Sequence, residues 1–181
     1  MVRPKSIIAG ILVIGLGVFC MLYFLQSDQR KIKRQFQRLS ESVSKESHED
    51  RLKWMVRVQK IKRLFADNCA VTDESRSLSR TYTREEIQAH AVSALSQFSE
   101  LTLGFHDLDI TMSQKTTAKV ILNAQVKGKW HTGEDILEVY EVKCALQKIE
   151  KDWVFTEIHV IELLKKQKLG GMTPPRRRAE G

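Results

Sequence analysis

The sequence has few of the residue patterns from which catalytic and metal sites are usually recognised. It has three cysteines and no CxxC pair, and no two of its five histidines stand four residues apart, as ligands on one helix face would. It also has no glycine-rich phosphate loop and no nucleophile elbow. The sequence therefore predicts no metal and no cofactor. The five histidines are His48, His90, His106, His131 and His159.

The cysteines leave one pairing question open. Cys20 falls in an apolar run near the amino terminus, so Cys69 and Cys144 are the remaining pair. Two buried free thiols are the simpler expectation for them. A disulfide stays open as an alternative, and it gains weight if the domain is exported to an oxidising compartment.

The positive charge does not follow a nucleic-acid pattern. The chain carries a formal net charge of +8, much of it beside the apolar run and in the tail at residues 176–178. A nucleic-acid surface would interleave basic side chains with exposed aromatic ones on one face, and no such face is visible. Cations beside an anionic lipid leaflet each gain roughly 1 kcal/mol. A membrane surface therefore accounts for the basicity, and no nucleic-acid partner is expected.

One long stretch, residues 6–27, contains no charged side chain. At about 1.5 Å of rise per residue, a helix of this length crosses the roughly 30 Å hydrocarbon core of a bilayer. The run is longer than the core of a signal peptide and ends without a small-residue cleavage site. These features predict an uncleaved single-pass membrane anchor over residues 1–27, with the bilayer as its partner.

The orientation of this anchor stays open. The larger basic cluster follows the apolar run, and the positive-inside rule then favours a cytoplasmic domain. A short basic leader before the first apolar segment, however, is the usual start of an exported domain. The interpretation leans towards the periplasmic or extracytoplasmic side.

Helical periodicity follows the anchor. Apolar residues recur at helical spacing over residues 32–43, with basic residues on the opposite face, which indicates an amphipathic juxtamembrane helix over residues 28–46. A second stripe from Trp54 to Phe65 predicts another helix that ends near residues 66–68.

A third helix is predicted from its start signal. The segment 72–82 is polar and aperiodic, and it is interpreted as a loop. Thr83 and Glu86 then stand three apart as in a capping box, in which each side chain bonds to the backbone amide of the other residue. The third helix therefore begins directly after Thr83.

Beyond Leu101 the apolar period changes from 3.6 to 2, which is typical of strands. Short connections between successive strands require antiparallel neighbours. Helices first and a meander second predict an α+β fold, with about three helices packed on one face of a bent antiparallel sheet of about four strands. The predicted strands include residues 106–112, 118–127, 135–148 and 153–163, and a disordered basic tail is expected over residues 169–181.

Three stretches carry a family likeness. Residues 61–71 read IKRLFADNCAV, residues 83–87 read TREEI and residues 148–155 read KIEKDWVF. In this order they resemble the nuclear transport factor 2-like superfamily, which includes the SnoaL-like proteins, over a domain at residues 47–168. The resemblance implies a cone in which helices close a strongly bent sheet around a cavity. The superfamily contains isomerases, dehydratases and cyclases as well as non-catalytic binding and assembly domains, so the likeness supplies no reaction.

The candidate catalytic residues are polar side chains on predicted strands. By alternation, His106, Tyr140 and His159 share a face with apolar neighbours and are expected to point into the cone. A titratable group in an apolar cavity has its pKa moved towards neutrality and can then transfer protons. The alternative for each is a buried, hydrogen-bonded residue or a residue at the sheet edge. Asp107 and Asp109 alternate onto the other face, where solvation is expected.

Two functions stay open at this stage. The favoured one is a membrane-tethered, non-catalytic binding or assembly module of a bacterial-type envelope, whose domain engages a protein partner, a second copy of itself or an apolar ligand. The alternative is a SnoaL-like isomerase, dehydratase or hydrolase that acts on an apolar small molecule in the cone. The absence of a convincing polar constellation favours the non-catalytic module over an enzyme.

Overall fold

The computed structural model describes residues 27–168, which form three helices and six strands. Helix α1 occupies residues 27–43, α2 occupies Arg51–Gln59 and α3 occupies Arg84–Leu95. Short 3₁₀ turns cover Ile61–Leu64 and Glu74–Arg76. The strands are β1 (Phe65–Asp73), β2 (Leu78–Thr83), β3 (Phe98–Gln114), β4 (Thr117–Trp130), β5 (Asp135–Ile149) and β6 (Asp152–Lys168).

The strands form one mixed sheet in the order β2-β1-β6-β5-β4-β3. Neighbours are antiparallel except β1 and β6, which are parallel. The prediction of about four antiparallel strands is therefore wrong, because β1 and β2 replace a predicted helix end and a predicted loop. A register shift between Phe65 and Ala70 breaks the alternation of β1. Strand β2 lies at the sheet edge with five of its six residues exposed, so it lacks an apolar face.

One face of the sheet, here called the inner face, packs against the helices. Aromatic rings fill the space beneath α1: the Phe36 ring meets Phe155 edge to face with 5.0 Å between centroids and Phe105 with 5.2 Å. Phe65 also lies against Phe155, with 5.4 Å between ring centroids. Such pairs add about 0.5–1.5 kcal/mol beyond the area that they bury. The inner face also carries Val120, Leu122, Val142, Cys144, Leu146 and Trp153, all buried.

Polar contacts tie α1 to the sheet at both ends. The Lys148 ammonium lies 2.9 Å from both carboxylate oxygens of Asp28, and the Trp153 indole donates to Asp28 at 3.3 Å. The side chain of Gln35, which is buried, donates to the Trp153 carbonyl. Towards the other end of the helix, the Ser40 hydroxyl donates to the Leu103 carbonyl. The first helix is therefore fixed across strands from both halves of the sheet.

The starts of α2 and α3 follow from their capping residues. Thr83 accepts from the Glu86 amide, and the Glu86 carboxylate accepts from the Thr83 amide at 2.9 Å. The predicted capping box is thus present. Helix α2 is shorter than predicted: it begins after Asp50, whose side chain accepts from the Leu52 amide, and it ends at Gln59.

The predicted membrane helix falls on residues 6–27, nearly all of which lie outside the described range, as does the predicted tail at residues 169–181. Between residues 27 and 168, no helix is both long and apolar enough to cross a bilayer. The prediction of a single-pass membrane protein with its domain leaning towards the periplasmic side is therefore corrected to what the described helices support: a domain over residues 27–168 in which no helix is suited to span a bilayer. The predicted domain limits stay predictions.

Candidate functional site

A β-bulge moves His106 off the face predicted for it. Strand β3 carries one extra residue between His106 and Asp109, and Asp107 in that bulge has a positive φ of 55°. A bulge exchanges the two faces of a strand, because side chains alternate with period two. Phe105 therefore packs against the core before the bulge and Leu108 after it. His106 is exposed on the outer face, so the expectation that it points into the cone is wrong.

A second bulge does the same to His159. Ala145 pairs with Glu157 but Leu146 pairs with Phe155, which leaves Thr156 as the extra residue of β6. His159 consequently lies on the outer face opposite Lys143. Its Nε2 is 2.8 Å from an oxygen of Glu74, although the two groups are not aligned for a hydrogen bond.

The small side chain of Ala145 leaves a hollow on this outer face, with a volume of about 350 Å³. Lys119, Lys143 and Glu157 surround it together with His159 and Ile121. The hollow is mixed in charge and lies on the opposite side of the sheet from the aromatic core. His159 thus lines a polar surface feature.

Tyr140 lies on the inner face, as its alternation with Val142 and Cys144 predicts. Its phenol donates a 2.5 Å hydrogen bond to the carboxylate of Glu138, and the Lys166 ammonium lies 3.0 Å from the other oxygen of that carboxylate. The Glu138 side chain is 16% exposed, whereas that of Lys166 is 59% exposed. We call Glu138, Tyr140 and Lys166 the inner-face polar cluster.

The protonation states of this cluster follow from its contacts. Burial, followed by the hydrogen bond to Glu138 and the charge of that carboxylate, raises the pKa of Tyr140 from 10.0 to about 12. Burial alone would raise the pKa of Glu138, but the hydrogen bonds from Tyr140 and Lys166 and the Lys166 charge outweigh it and hold that pKa below its usual value. At neutral pH the cluster therefore consists of a neutral phenol, an ionised carboxylate and an ammonium.

Two members of the cluster escaped the reasoning from sequence. Glu138 stands two residues before Tyr140 and so shares its face by strand periodicity, which is a signal that could have been used. Lys166 pairs with Glu138 only because β6 has register shifts near residues 161 and 164, and its sequence position carries no such signal. Within residues 27–168, no group of three potential ligands among His, Cys, Asp and Glu is placed to hold a metal.

Both described cysteines are buried free thiols on the inner side of the sheet. Cys69 is on β1 and Cys144 on β5, and β6 lies between these two strands. Strands are about 4.8 Å apart, and the residue of β1 in line with Cys144 is Val71 rather than Cys69. The two Cα atoms are therefore separated by more than roughly 9–10 Å, beyond the roughly 7 Å limit for a disulfide. Burial raises the pKa of Cys69 to about 11 and that of Cys144 to about 12. Both thiols are therefore in their unreactive, protonated form at neutral pH.

No protein-family model and no curated protein matches the chain. Solved structures, in contrast, do match the chain. A LinA type 2 hexachlorocyclohexane dehydrochlorinase superposes with a TM-score of 0.66 at 14% identity, covering 85% of this chain and 98% of that one. A scytalone dehydratase-like protein from Novosphingobium aromaticivorans gives 0.69 at 15% identity, covering 88% and 99%. A cystatin-like protein of unknown function from Nostoc punctiforme gives 0.53 at 16% identity, covering 75% and 90%.

These similarities concern the fold. The predicted nuclear transport factor 2-like, SnoaL-like fold is confirmed, and it is shared with LinA and scytalone dehydratase-like proteins. At 14–16% identity they carry no information about individual catalytic residues. The chemistry of this chain has to be argued from its own inner face.

Proposed function

We propose that the protein is a SnoaL-like enzyme that eliminates a small leaving group from an apolar small molecule at the inner-face polar cluster. The observation that carries the proposal is the 2.5 Å hydrogen bond between Tyr140 and Glu138. It joins an ionised carboxylate and a neutral phenol on the side of the sheet that carries the aromatic core. Half-burial of both residues leaves them within reach of a ligand from solvent.

The three groups of the cluster supply complementary roles. The Glu138 carboxylate takes a proton from a carbon atom of the substrate, and the electrons of that C–H bond form a carbon–carbon double bond. The leaving group departs from the adjacent carbon with its bonding pair, as chloride from a chlorinated ring or as hydroxide from an alcohol. The ammonium of Lys166 has hydrogens besides the one that faces Glu138 and donates them to this developing negative charge. The single phenol hydrogen of Tyr140 is held by the Glu138 carboxylate in the free protein, and it becomes available to the leaving group once Glu138 has taken the substrate proton.

Ligand binding would also adjust the strength of the base. An apolar substrate beside Glu138 removes water from the carboxylate, and desolvation raises a carboxyl pKa. A base is most effective when its pKa lies near the working pH. The low pKa of the free protein keeps Glu138 ionised, and the bound substrate then moves it towards the useful range.

The neighbours in fold support elimination as the reaction class. A dehydrochlorinase removes hydrogen chloride and a dehydratase removes water, and proteins bearing both names share this fold. The same fold also hosts unrelated functions, so this support is by analogy. The residues named for this chain rest on its own geometry.

The test is turnover of chlorinated and hydroxylated ring compounds by the full-length protein. Chloride release from hexachlorocyclohexane and loss of water from cyclic alcohols would be followed for the wild type, Glu138→Gln and Tyr140→Phe. Removal of the base should lower the rate by about 10²–10⁴-fold. His159→Asn, on the outer face, is the matched control and should retain the wild-type rate. Unchanged turnover in Glu138→Gln would refute the assignment.

A second candidate, a non-catalytic binding module, is favoured by the packing beneath α1. The rings of Phe36, Phe105 and Phe155 fill this space, which leaves less room for a substrate than an open cone would. Native mass spectrometry of the purified protein tests this alternative. A tightly held apolar ligand or a stable assembly, together with no turnover of any compound in the panel, would favour it.

A further inference from the structure

A second cavity, of about 400 Å³, shares no lining residue with the inner-face polar cluster. It lies where the connection between α1 and α2, the helices α2 and α3, and the connection between β4 and β5 meet. Its apolar walls are Trp54 and Met55 from α2 and Val92 from α3. This volume falls within the range of about 300–1,000 Å³ typical of small-molecule sites.

The walls of this cavity are held by the core. Trp54 is 6% exposed and belongs to the central apolar cluster, and Met55 and Val92 pack against that cluster. Their positions on two packed helices make the walls a fixed surface rather than a mobile loop. The apolar surface formed by the Trp54 indole, the Met55 thioether and the Val92 side chain can pack against an aromatic ring.

The polar rim carries one uncompensated positive charge. Lys45 is fixed at the cavity by a 2.6 Å hydrogen bond from its Nζ to the Phe98 carbonyl, and its ammonium lies 5.3 Å from the centre of the Trp54 ring. That bond uses one of the three ammonium hydrogens, which leaves two for a ligand. The carboxylate of Glu49 is already neutralised, because Arg57 donates to both of its oxygens at 2.5 and 2.7 Å.

Two further polar residues lie at the rim. Ser96 is exposed, and its hydroxyl donates its single hydrogen to the Ser93 carbonyl at 2.7 Å, so it adds neither charge nor a donor to the cavity. His131 is exposed on the connection between β4 and β5 and adds an imidazole N–H donor beside the Lys45 ammonium. The net charge that faces the cavity is therefore positive at neutral pH.

We propose that this cavity binds a small aromatic carboxylate. The ring lies between Trp54, Met55 and Val92, and the carboxylate accepts hydrogen bonds from Lys45. An ammonium next to both an indole face and an apolar wall favours a ligand that is aromatic at one end and anionic at the other. This site is independent of the proposed elimination chemistry, and it goes beyond it by assigning the chain a second ligand.

Calorimetric titration of the full-length protein with 1-naphthoate tests the assignment, with the uncharged 1-naphthamide as the matched ligand. Lys45→Met keeps the aliphatic stem and removes the charge, and it should weaken naphthoate binding by about 10- to 150-fold, which is the loss of one charged hydrogen bond of roughly 1.5–3 kcal/mol. Naphthamide should bind the wild type more weakly than naphthoate, and Lys45→Met should not weaken it further. Lys143→Met, which removes an exposed lysine on the outer face, should change neither affinity by more than about twofold.

A steric variant keeps the test independent of the Lys45 hydrogen bond. Ser96→Trp places a large side chain at the mouth of the cavity from an exposed position, so it should block both ligands while leaving the thermal unfolding temperature unchanged. Failure of the wild type to bind naphthoate would overturn the proposal, as would equal losses in Lys45→Met and Lys143→Met. Loss of binding in Glu138→Gln with full binding in Ser96→Trp would place the ligand at the inner-face polar cluster and would also overturn it.

Discussion

Replacing Gly128 by alanine tests how closely β3 and β4 approach each other. Gly128 on β4 is paired with Leu101 on β3. A Cβ atom added to Gly128 would lie 2.7 Å from the Glu100 carbonyl oxygen and 2.8 Å from a methyl carbon of Leu101. The carbonyl belongs to the backbone and cannot turn away as a side chain can. We therefore expect overpacking to lower the free energy of unfolding by about 1–3 kcal/mol, partly offset by about 0.4–1 kcal/mol from a stiffer unfolded chain.

Two other glycines provide matched controls for the same chemical change. At Gly104, the nearest atom to an added Cβ is the His106 Nε2 at 3.1 Å, which belongs to an exposed side chain that can move aside. Gly104→Ala should therefore change the stability by less than about 0.5 kcal/mol or raise it slightly. At Gly133, an added Cβ meets nothing within 4 Å, but the φ of 92° is left-handed. Gly133→Ala should lose about 1–2 kcal/mol through backbone strain alone.

Urea denaturation followed by circular dichroism separates these mechanisms. Asparagine tolerates the left-handed region better than alanine, so Gly133→Asn should recover part of the loss. No recovery is expected for Gly128→Asn, because its Cβ meets the same atoms. A Gly128→Ala protein as stable as the wild type, or less affected than Gly104→Ala, would refute the reasoning about the close approach.

Three further outcomes are expected. Thr83→Ala should lower the free energy of unfolding by about 1 kcal/mol, since the α3 cap is lost, whereas Thr83→Ser should be nearly neutral in the same urea assay; equal losses would speak against the cap. Asp28→Asn should lower it by about 1–3 kcal/mol because the part-buried Lys148 ammonium loses its charged acceptor, and a double-mutant cycle with Lys148→Met should give a clear coupling energy; additive losses would contradict the contact. Burial raises the pKa of Cys144 from 9.0 to about 12, so the unfolded thiol ionises first and stability should fall as the pH rises from about 9 towards 12. Cys144→Ala should flatten this fall relative to the wild type, and parallel curves would contradict it.

The parts of the fold with regular periodicity could be predicted from sequence. Ile32 and Phe36 are buried as their helical spacing indicates, and the capping box at Thr83 is present. Strands β1 and β2 escaped prediction because their stability comes from position in the sheet. One is interrupted by a register shift and the other is an exposed edge, so neither carries a two-residue apolar pattern.

Regular alternation also decides which candidate site residues could be placed on the correct face from sequence. Tyr140 lies on the predicted face because β5 keeps regular alternation up to Cys144. For each histidine, the prediction extends alternation across an extra residue: Asp107 directly follows His106 in β3, and Thr156 precedes His159 in β6. Each extra residue exchanges the faces of its strand. Asp107 occupies a left-handed conformation that aspartate tolerates, but aspartate in a strand does not by itself announce a bulge. Alternation therefore does not predict which face a residue occupies on the far side of a bulge, however clear the apolar pattern is.

The parallel pairing of β1 with β6 has a consequence for synthesis of the chain. Strand β1 pairs with β2 soon after both are made, but its parallel partner, residues 155–160, comes near the end of the sheet in chain order. Helix α1 likewise packs on the carbonyl and indole of Trp153. A ribosome adds residues one at a time, at about 5–20 per second. Several seconds therefore pass between the synthesis of α1 and β1 and the synthesis of β6, against which both pack. A nonsense mutation before Asp152 would therefore yield an unfolded polypeptide, a client for chaperones and proteases, rather than a smaller working domain.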